Sequence, residues 1–395
     1  MNDNMKSIKK GRLVMLSPHH ADMDYRVRRS IEVIVEIFGT VDIFWDENYT
    51  GHQRKKHKFD SHVNEYYIKN KSKEFLKLLF GQAIFCPEVV LCLNSASHVY
   101  IHASGLEGLL YCREVKRINP SCLVIFDYHD SLTYELFYQL KKSGLEKLFK
   151  PVWGLYKFYI KSLMESVDAL MGISTTQVND FQRLLGRELV GASVPNFRDF
   201  SNCFSQVKSV TKNDEISLVW LGSVMKGRDL SWLANWVSQL DRMPHLHVFG
   251  NVINQSMVSD LQELLGDQVS FYGEFKDESE ILPHLPHKTI GVFLGWDDPQ
   301  DTNINSHASP NKYFTYINME LPVVINSSLS ELSASVEDTQ AGLSVANQQD
   351  FSQAIEKISQ DYSSYVVGSR RLKALYGKVS IKQTILDFFH EVSKV

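Results

Sequence analysis

The sequence predicts an α/β protein built from two doubly wound, parallel-sheet domains in tandem. Three observations predict it. The chain opens as strand, helix, strand: an apolar run at 12–17, a helical stripe of Val27, Ile31, Ile34, Val35 and Phe38, and a second apolar run at 41–45. That order requires a parallel sheet with helices on its faces. Unbroken apolar runs at 89–93 and 123–127 read as strands covered on both sides. After a stretch rich in Ser, Asn, Lys and Asp at 197–215, the alternation restarts at 216–221, and 395 residues give each half its own core.

The elements follow in order. The first strand leads into a polar loop with Asp22 and Asp24, and Gly39 stops the first helix. Residues 51–58 form a basic insertion, read as a solvated loop or as a contact with anionic lipid or another polyanion. A helix with Leu109, Leu110, Cys112, Val115 and Ile118 precedes the 123–127 run. That run ends in Tyr128, His129, Asp130 and Ser131, where doubly wound sheets gather their ligands. Residues 136–167 mix lysines with aromatic residues in helical register. They read either as a hairpin packed on the domain or as an interfacial surface resting on anionic lipid. Short strands at 169–174 and 190–196 close the first half.

The second half continues with Gly222, Lys226 and Arg228 after its first strand, then a helix with Leu230, Leu233, Trp236 and Val237. Strands are expected at 245–250, 269–273 and 289–294, and terminal helices at 351–358 and 381–392. The expected domains are 1–198 and 199–375, with 376–395 a C-terminal helix that packs back on the first domain.

Composition limits the functional classes. A net charge of −4 excludes a globally basic nucleic-acid binder. No apolar run is long enough for a spanning helix, and the polar, basic N-terminus has no apolar core of a secretory signal. Five cysteines, an odd number without metal-type spacing, read as reduced core thiols. The expected location is cytoplasmic.

The most informative stretch runs from His307 to Val324. Ser309 is expected to cap a helix and Pro310 to occupy its first position. Tyr313, Phe314 and Ile317 then share a buried face, and Leu321, Pro322 and Val323 open a core strand. Free N–H groups with Lys312 in the first turn suit a phosphate; the alternative is an ordinary capped helix.

Motif order adds a resemblance. Ser309-Pro310-Asn311-Lys312-Tyr313-Phe314-Thr315-Tyr316, followed by Glu320-Leu321-Pro322-Val323-Val324, is similar to the Ser-Pro-x-Lys-Leu-Phe-Glu-Tyr and Gly-x-Pro-Val segments of retaining family 4 glycosyltransferases. Residues 164–174, Val194-Pro195-Asn196, Asp24-Tyr25-Arg26-Val27 and Asp127-Tyr128-His129-Asp130 match further segments in the family's order. Nearly the whole chain resembles a GT-B fold glycosyltransferase.

The resemblance implies two Rossmann-like domains facing a cleft, with the nucleotide sugar held mainly by the C-terminal one. It implies a metal-independent enzyme without a cofactor, because protein cations and helix N-termini neutralise the leaving diphosphate. Gly222, Lys226, Arg228, Gly250, Asn305, Ser309, Pro310, Asn311, Lys312 and Thr315 are the expected donor-binding residues. His129, Asp130, Asp24 and His307 are the catalytic candidates. The alternatives are a solvated turn for Lys226 and Arg228, a plain turn glycine at Gly250 and a loop histidine at His129. Asp24 alternatively pairs with Arg26 or Arg28.

The pattern breaks at two positions. The family's paired glutamates fall at His307 and Thr315, so both carboxylates are missing. Thr315 offers ribose hydroxyls only a neutral oxygen.

The expected function is transfer of a sugar from a nucleotide sugar to a glycan or lipid-linked glycan acceptor of the capsule, O-antigen or lipopolysaccharide type. An anionic membrane surface is the other expected partner, and nucleic acid is not expected. One alternative is an inverting transferase of a CMP-activated acid sugar, which His307 suits by charge. The other is a catalytically degenerate domain that binds or serves as a partner subunit.

Overall fold

A computed structural model describes residues 11–17, 25–46, 62–68, 85–103, 105–128, 147, 151, 153–196, 215–225, 230–295, 309–378 and 381–394. The chain divides into two compact units, 1–195 with 381–395, and 196–380.

The first unit is a seven-stranded, all-parallel sheet in the order β3-β2-β1-β4-β5-β6-β7. Its strands are β1 (Arg12–Ser17), β2 (Thr40–Asp46), β3 (Val63–Ile68), β4 (His98–His102), β5 (Leu123–Tyr128), β6 (Ala169–Gly172) and β7 (Val190–Ser193). Its helices are α1 (Tyr25–Ile37), α2 (Pro87–Ser95), α3 (Gly105–Ile118), α4 (Trp153–Met164) and α5 (Thr175–Leu185). Strand order reverses direction between β1 and β4.

One sequence expectation is corrected here. Residues 89–93 are not a strand but the middle of α2, and the strand that pairs with β1 is β4. Pro87 in the first turn starts the helix, and Val89, Cys92 and Leu93 bury one face while Leu91 points outward. A short apolar run fits either element, and here the proline decides. Strand β3 was not foreseen, because Val63-Asn64-Glu65-Tyr66 is half polar at the sheet edge. Cys92, Cys112 and Cys122 are buried free thiols and Cys86 is a half-buried one.

The second unit is six-stranded and all-parallel, in the order β10-β9-β8-β11-β12-β13. The strands are β8 (Ile216–Leu221), β9 (His245–Phe249), β10 (Val269–Phe271), β11 (Lys288–Phe293), β12 (Val323–Asn326) and β13 (Gly342–Val345). The switch in strand order lies between β8 and β11. Its longer helices are α6 (Leu230–Val237), α7 (Gln255–Leu265), α8 (Asn311–Asn318), α9 (Ser330–Thr339), α10 (Gln348–Gln360) and α11 (Tyr362–Lys378). Strand β13 and helices α9 and α11 were missed, since their apolar positions are interrupted by Ser, Thr and Gly.

The last helix, α12 (Ile381–Val392), belongs to the first unit and packs on α1 and β7. Phe389 is fully buried, with ring centroids 5.5 Å from Phe38 and 6.3 Å from Tyr100. Lys382 pairs with Glu36 at 2.7 Å, a half-exposed bridge of little weight. The apolar contacts therefore hold this helix. Phe389→Ala is expected to cost about 3–5 kcal/mol, read as an earlier urea transition of the first unit.

Candidate functional site

In open parallel sheets the ligand crevice lies beyond the strand C-termini where strand order reverses. In the second unit that point is the end of β8 and β11. The two strands pair up to Val219 and Gly291. One step further, Tyr316 from α8 enters between them. Its hydroxyl accepts from Leu221 N–H at 3.1 Å and donates to Val292 C=O at 3.1 Å. Gly291 makes room, because a Cβ there would lie 2.4 Å from the Tyr316 ring. Tyr316→Phe strands two buried backbone groups and is expected to cost about 1–3 kcal/mol, measurable by urea unfolding.

Tyr316 sets the position of α8, and α8 places Lys312. The Lys312 ammonium lies 4.4 Å from the Trp220 ring centroid on β8 and 4.7 Å from the Phe293 ring centroid on β11. Two aromatic faces attract a cation and hold its long side chain in one direction. A Cβ on Gly222 would lie 3.2 Å from this ammonium, so the glycine is part of the same spot.

Three strand ends are joined at this edge by glycines. Gly222 N–H donates to Phe249 C=O at 2.8 Å, and Gly250 N–H donates to Gly273 C=O at 2.7 Å. All three glycines have positive φ, at 142°, 148° and 79° in order. Gly250 has a packing reason of its own, since a Cβ there would fall 1.6 Å from the Gly222 carbonyl oxygen. Next to it, Phe249 stacks on Tyr272 at 4.5 Å, and Tyr272 bonds His247 at 2.9 Å. Burial, with His245 and His284 nearby, pushes the His247 imidazole down to about 4.

The cap of α8 differs from the sequence expectation. Pro310 is the N-cap and Asn311 the first helical residue, so neither Ser309 nor Pro310 has its expected place. The Ser309 hydroxyl is turned away to accept from Asn196 N–H at 3.3 Å and is buried. The two positions shift because proline is extended here, with ψ at 130°. Thr315 donates its hydroxyl proton to Asn311 C=O at 3.2 Å, which leaves its oxygen lone pairs available.

At the helix end, Glu320 has φ of 60°, a conformation that favours glycine. Its carboxylate is held by Arg370 Nε at 2.8 Å and approached by Lys373 Nζ at 3.5 Å. These cations accompany a glutamate where the resembled family has glycine.

Of the expected site residues, Gly222 and Gly250 lie at strand ends, Asn311, Lys312 and Thr315 on α8, and Ser309 and Pro310 just before it. Asp24, His129, Asp130, Lys226, Arg228, Asn305 and His307 lie outside the described residues. Among the described residues, no group of three or more His, Cys, Asp or Glu side chains is placed to hold a metal ion.

The first unit holds a polar cluster that sequence reasoning missed. His102 and Asp127 are cross-strand neighbours at the ends of β4 and β5. His102 Nδ1 lies 2.7 Å from Asp127 Oδ2, and the same oxygen accepts from the Tyr100 hydroxyl. Burial, and then Asp127, hold the Tyr100 hydroxyl well above its ordinary range. Arg29 of α1 donates to Pro195 C=O at 2.7 Å and Val194 C=O at 3.0 Å, fixing the Val-Pro-Asn segment. The available signal was His98, Tyr100 and His102 at alternate positions of one strand. Misplacing that strand at 89–93 hid it.

With this geometry in view, comparison places the chain among known proteins. Residues 220–378 match the family described as "Glucosyltransferase 3-like, C-terminal domain". No curated protein sequence gives a significant match. Among solved structures, Anabaena HepE in complex with UDP superposes with TM-score 0.65 at 13% identity, covering 98% of this chain and 100% of that one. The E. coli trehalose-6-phosphate protein bound with UDP-2-fluoro glucose gives TM-score 0.65 at 10% identity, covering 97% and 99%. The lipopolysaccharide outer core galactosyltransferase WaaB gives 0.63 at 11% identity, covering 97% and 100%. At these identities the likeness is one of fold, and the fold is GT-B.

Proposed function

We propose that this chain, a GT-B glycosyltransferase with a glucosyltransferase 3-like C-terminal domain, moves a sugar from a nucleotide-sugar donor to a surface-glycan acceptor. The Lys312 clamp between Trp220 and Phe293 carries this reading. It fixes a cation at the strand-order switch, where a diphosphate would lie. In the transfer, the acceptor oxygen bonds the anomeric carbon, the bond from that carbon to the diphosphate oxygen breaks, and the acceptor proton leaves. Charge develops on the departing diphosphate, and a cation fixed beforehand stabilises it without reorganisation. The first-turn N–H groups of α8 add partial positive charge on the same side. Protein groups do this neutralisation in the proposal, with no cofactor assigned.

UDP is the preferred nucleotide. HepE has been crystallised in complex with UDP-glucose, and the matched family is glucosyltransferase 3-like. WaaB, a lipopolysaccharide outer core transferase, supports a capsule, O-antigen or lipopolysaccharide-type acceptor. His129, Asp130 and Asp24 are proposed for the acceptor side, and Lys226, Arg228, Asn305 and His307 for the donor side. Release of UDP, GDP and CMP from a panel of their sugars, with short surface oligosaccharides as acceptors, tests the reading. Turnover of UDP-hexoses is expected. Turnover confined to CMP-acid sugars would overturn the donor assignment, and no turnover at all would favour a binding subunit.

The acceptor is proposed to be lipid-linked, which brings in α4. Among the described residues no helix is long and apolar enough to cross a membrane. On α4, however, Phe158 is 74% and Leu155 71% exposed, beside exposed Lys157 and Lys161. Apolar side chains flanked by lysines suit the headgroup boundary of an anionic bilayer. Flotation with phosphatidylglycerol vesicles at low salt is expected to carry the protein upward, and Phe158→Asp to leave it below. Wild type staying entirely in solution would remove the membrane from the proposal.

A further inference from the structure

A concavity in the C-terminal unit shares no residue with the Lys312 cluster. It measures about 510 Å³ and sits between α6 and the start of α10. Sites for small ligands span roughly 300–1,000 Å³. One wall is Trp232, Asn235 and Trp236, at i, i+3 and i+4 on a single helix face. The other is Asn347, Gln348 and Gln349, with Ser352 one turn on. Among the described residues the composition is selective: two indoles, four amides, one hydroxyl and no ionisable group.

The two tryptophans are held differently. Trp236 is nearly buried, its ring tilted against Phe351 at 5.6 Å, and forms a rigid floor. Trp232 is 37% exposed, the more accessible of the two. The amides are oriented as well. Gln348 Nε2 donates to Gln239 Oε1 at 2.5 Å, and Gln239 Nε2 donates to Asn235 Oδ1 at 3.4 Å. This chain leaves Gln348 an acceptor oxygen and Asn235 a donor NH₂ for an occupant. Asn347 is committed to its own helix, accepting from Asp350 N–H at 3.0 Å. Gln349 is exposed, with its whole amide available.

We infer that this hollow binds a neutral saccharide. An indole covers the C–H face of a pyranose, and planar amides satisfy vicinal hydroxyls as paired donor and acceptor. The absence of charge among the described lining residues disfavours phosphates, carboxylates and amines, whose desolvation none of these residues would offset. The occupant is therefore different in kind from the anion expected at Lys312. Saccharide binding stands on this lining alone. Only the further step, that the saccharide is a non-reacting stretch of the acceptor or product glycan, rests on the transferase reading.

Calorimetric titration of the full chain with maltohexaose, cellohexaose, laminarihexaose and chitohexaose tests it, with hexagalacturonate as the charged counterpart. At least one neutral hexasaccharide is expected to bind with Kd of about 1 mM or below. Trp232→Ala is expected to weaken it at least tenfold. Gln349→Ala, an exposed change that leaves the fold alone, weakens it several-fold. UDP affinity stays unchanged in both variants, while Lys312→Ala lowers UDP affinity and spares the saccharide. No binding by any neutral probe at about 10 mM, hexagalacturonate binding as tightly as the neutral sugars, or neither pocket variant changing affinity would each overturn the inference. Failure of the UDP arm alone would overturn the donor site and leave the saccharide site standing.

Discussion

Lys312→Ala is expected to lower kcat/KM for the nucleotide sugar by roughly 10²–10³-fold, the usual loss when one preorganised charge-stabilising donor is removed. The size of the loss follows from how the ammonium is held. Between Trp220 and Phe293 it is partly withdrawn from water, so its field reaches a phosphate with less screening. Its direction is also fixed before the donor arrives. Folding should suffer much less, by about 1 kcal/mol, because both rings remain packed in the sheet. Lys312→Arg is expected to restore only part of the activity. A planar guanidinium needs more width than an ammonium beside Gly222, where even one added methyl group would come within 3.2 Å of the present charge. Thr315→Ala is the matched control on the same helix. Its hydroxyl proton is spent on Asn311 C=O, so at most an acceptor for ribose is lost. Steady-state kinetics with UDP-glucose, together with urea melts, separate the two effects. Lys312→Ala activity within threefold of wild type would mean that the diphosphate binds elsewhere.

The contrast between Lys312 and its neighbours shows what the sequence disclosed. The tandem parallel sheets were legible because buried parallel strands are near-continuous apolar runs, as at 216–221 and 289–294. Lys312 was legible as a cation in the first turn of a helix. That its ammonium lies between two rings was not, since Trp220 and Phe293 come from strands that are neighbours in the sheet but more than seventy residues apart in the chain. Tyr316 was invisible for the same reason: the gap it bridges exists only once β8 and β11 are side by side. Short-range signals misled where two structures suit one pattern. Residues 89–93 have a strand's composition and a helix's burial, and Ser309 looks like a cap but bonds Asn196 instead. Glu320 would have seemed wrong for its left-handed φ, and its partners Arg370 and Lys373 lie fifty residues away. Local chemistry thus named the elements, and long-range pairing decided what each residue does.

Gly250→Ala is expected to destabilise the C-terminal unit by about 4 kcal/mol or more, the range in which point changes become diagnostic of one mechanism. Two penalties act together. The backbone there has φ of 148°, where any Cβ is strained, and that Cβ would be placed 1.6 Å from the Gly222 carbonyl oxygen and 2.4 Å from its carbon. Backbone atoms cannot rotate away as a side chain can. Relief therefore requires β8 and β9 to separate at their ends, breaking the bonds from Gly222 N–H to Phe249 and from Gly250 N–H to Gly273. Gly273→Ala supplies the comparison. Its φ of 79° also favours glycine, but among the described residues no atom lies within 4 Å of the added Cβ. It should cost only about 1–2 kcal/mol, the price of the left-handed conformation alone. The difference between the two variants, read from the urea transition of the C-terminal unit, isolates the close approach from the dihedral strain. Equal losses would show that the strand ends are not pressed together. Unequal losses would make Gly250 the residue that holds Gly222 against Lys312, so that a glycine packed behind Gly222 controls the shape of the proposed anion site.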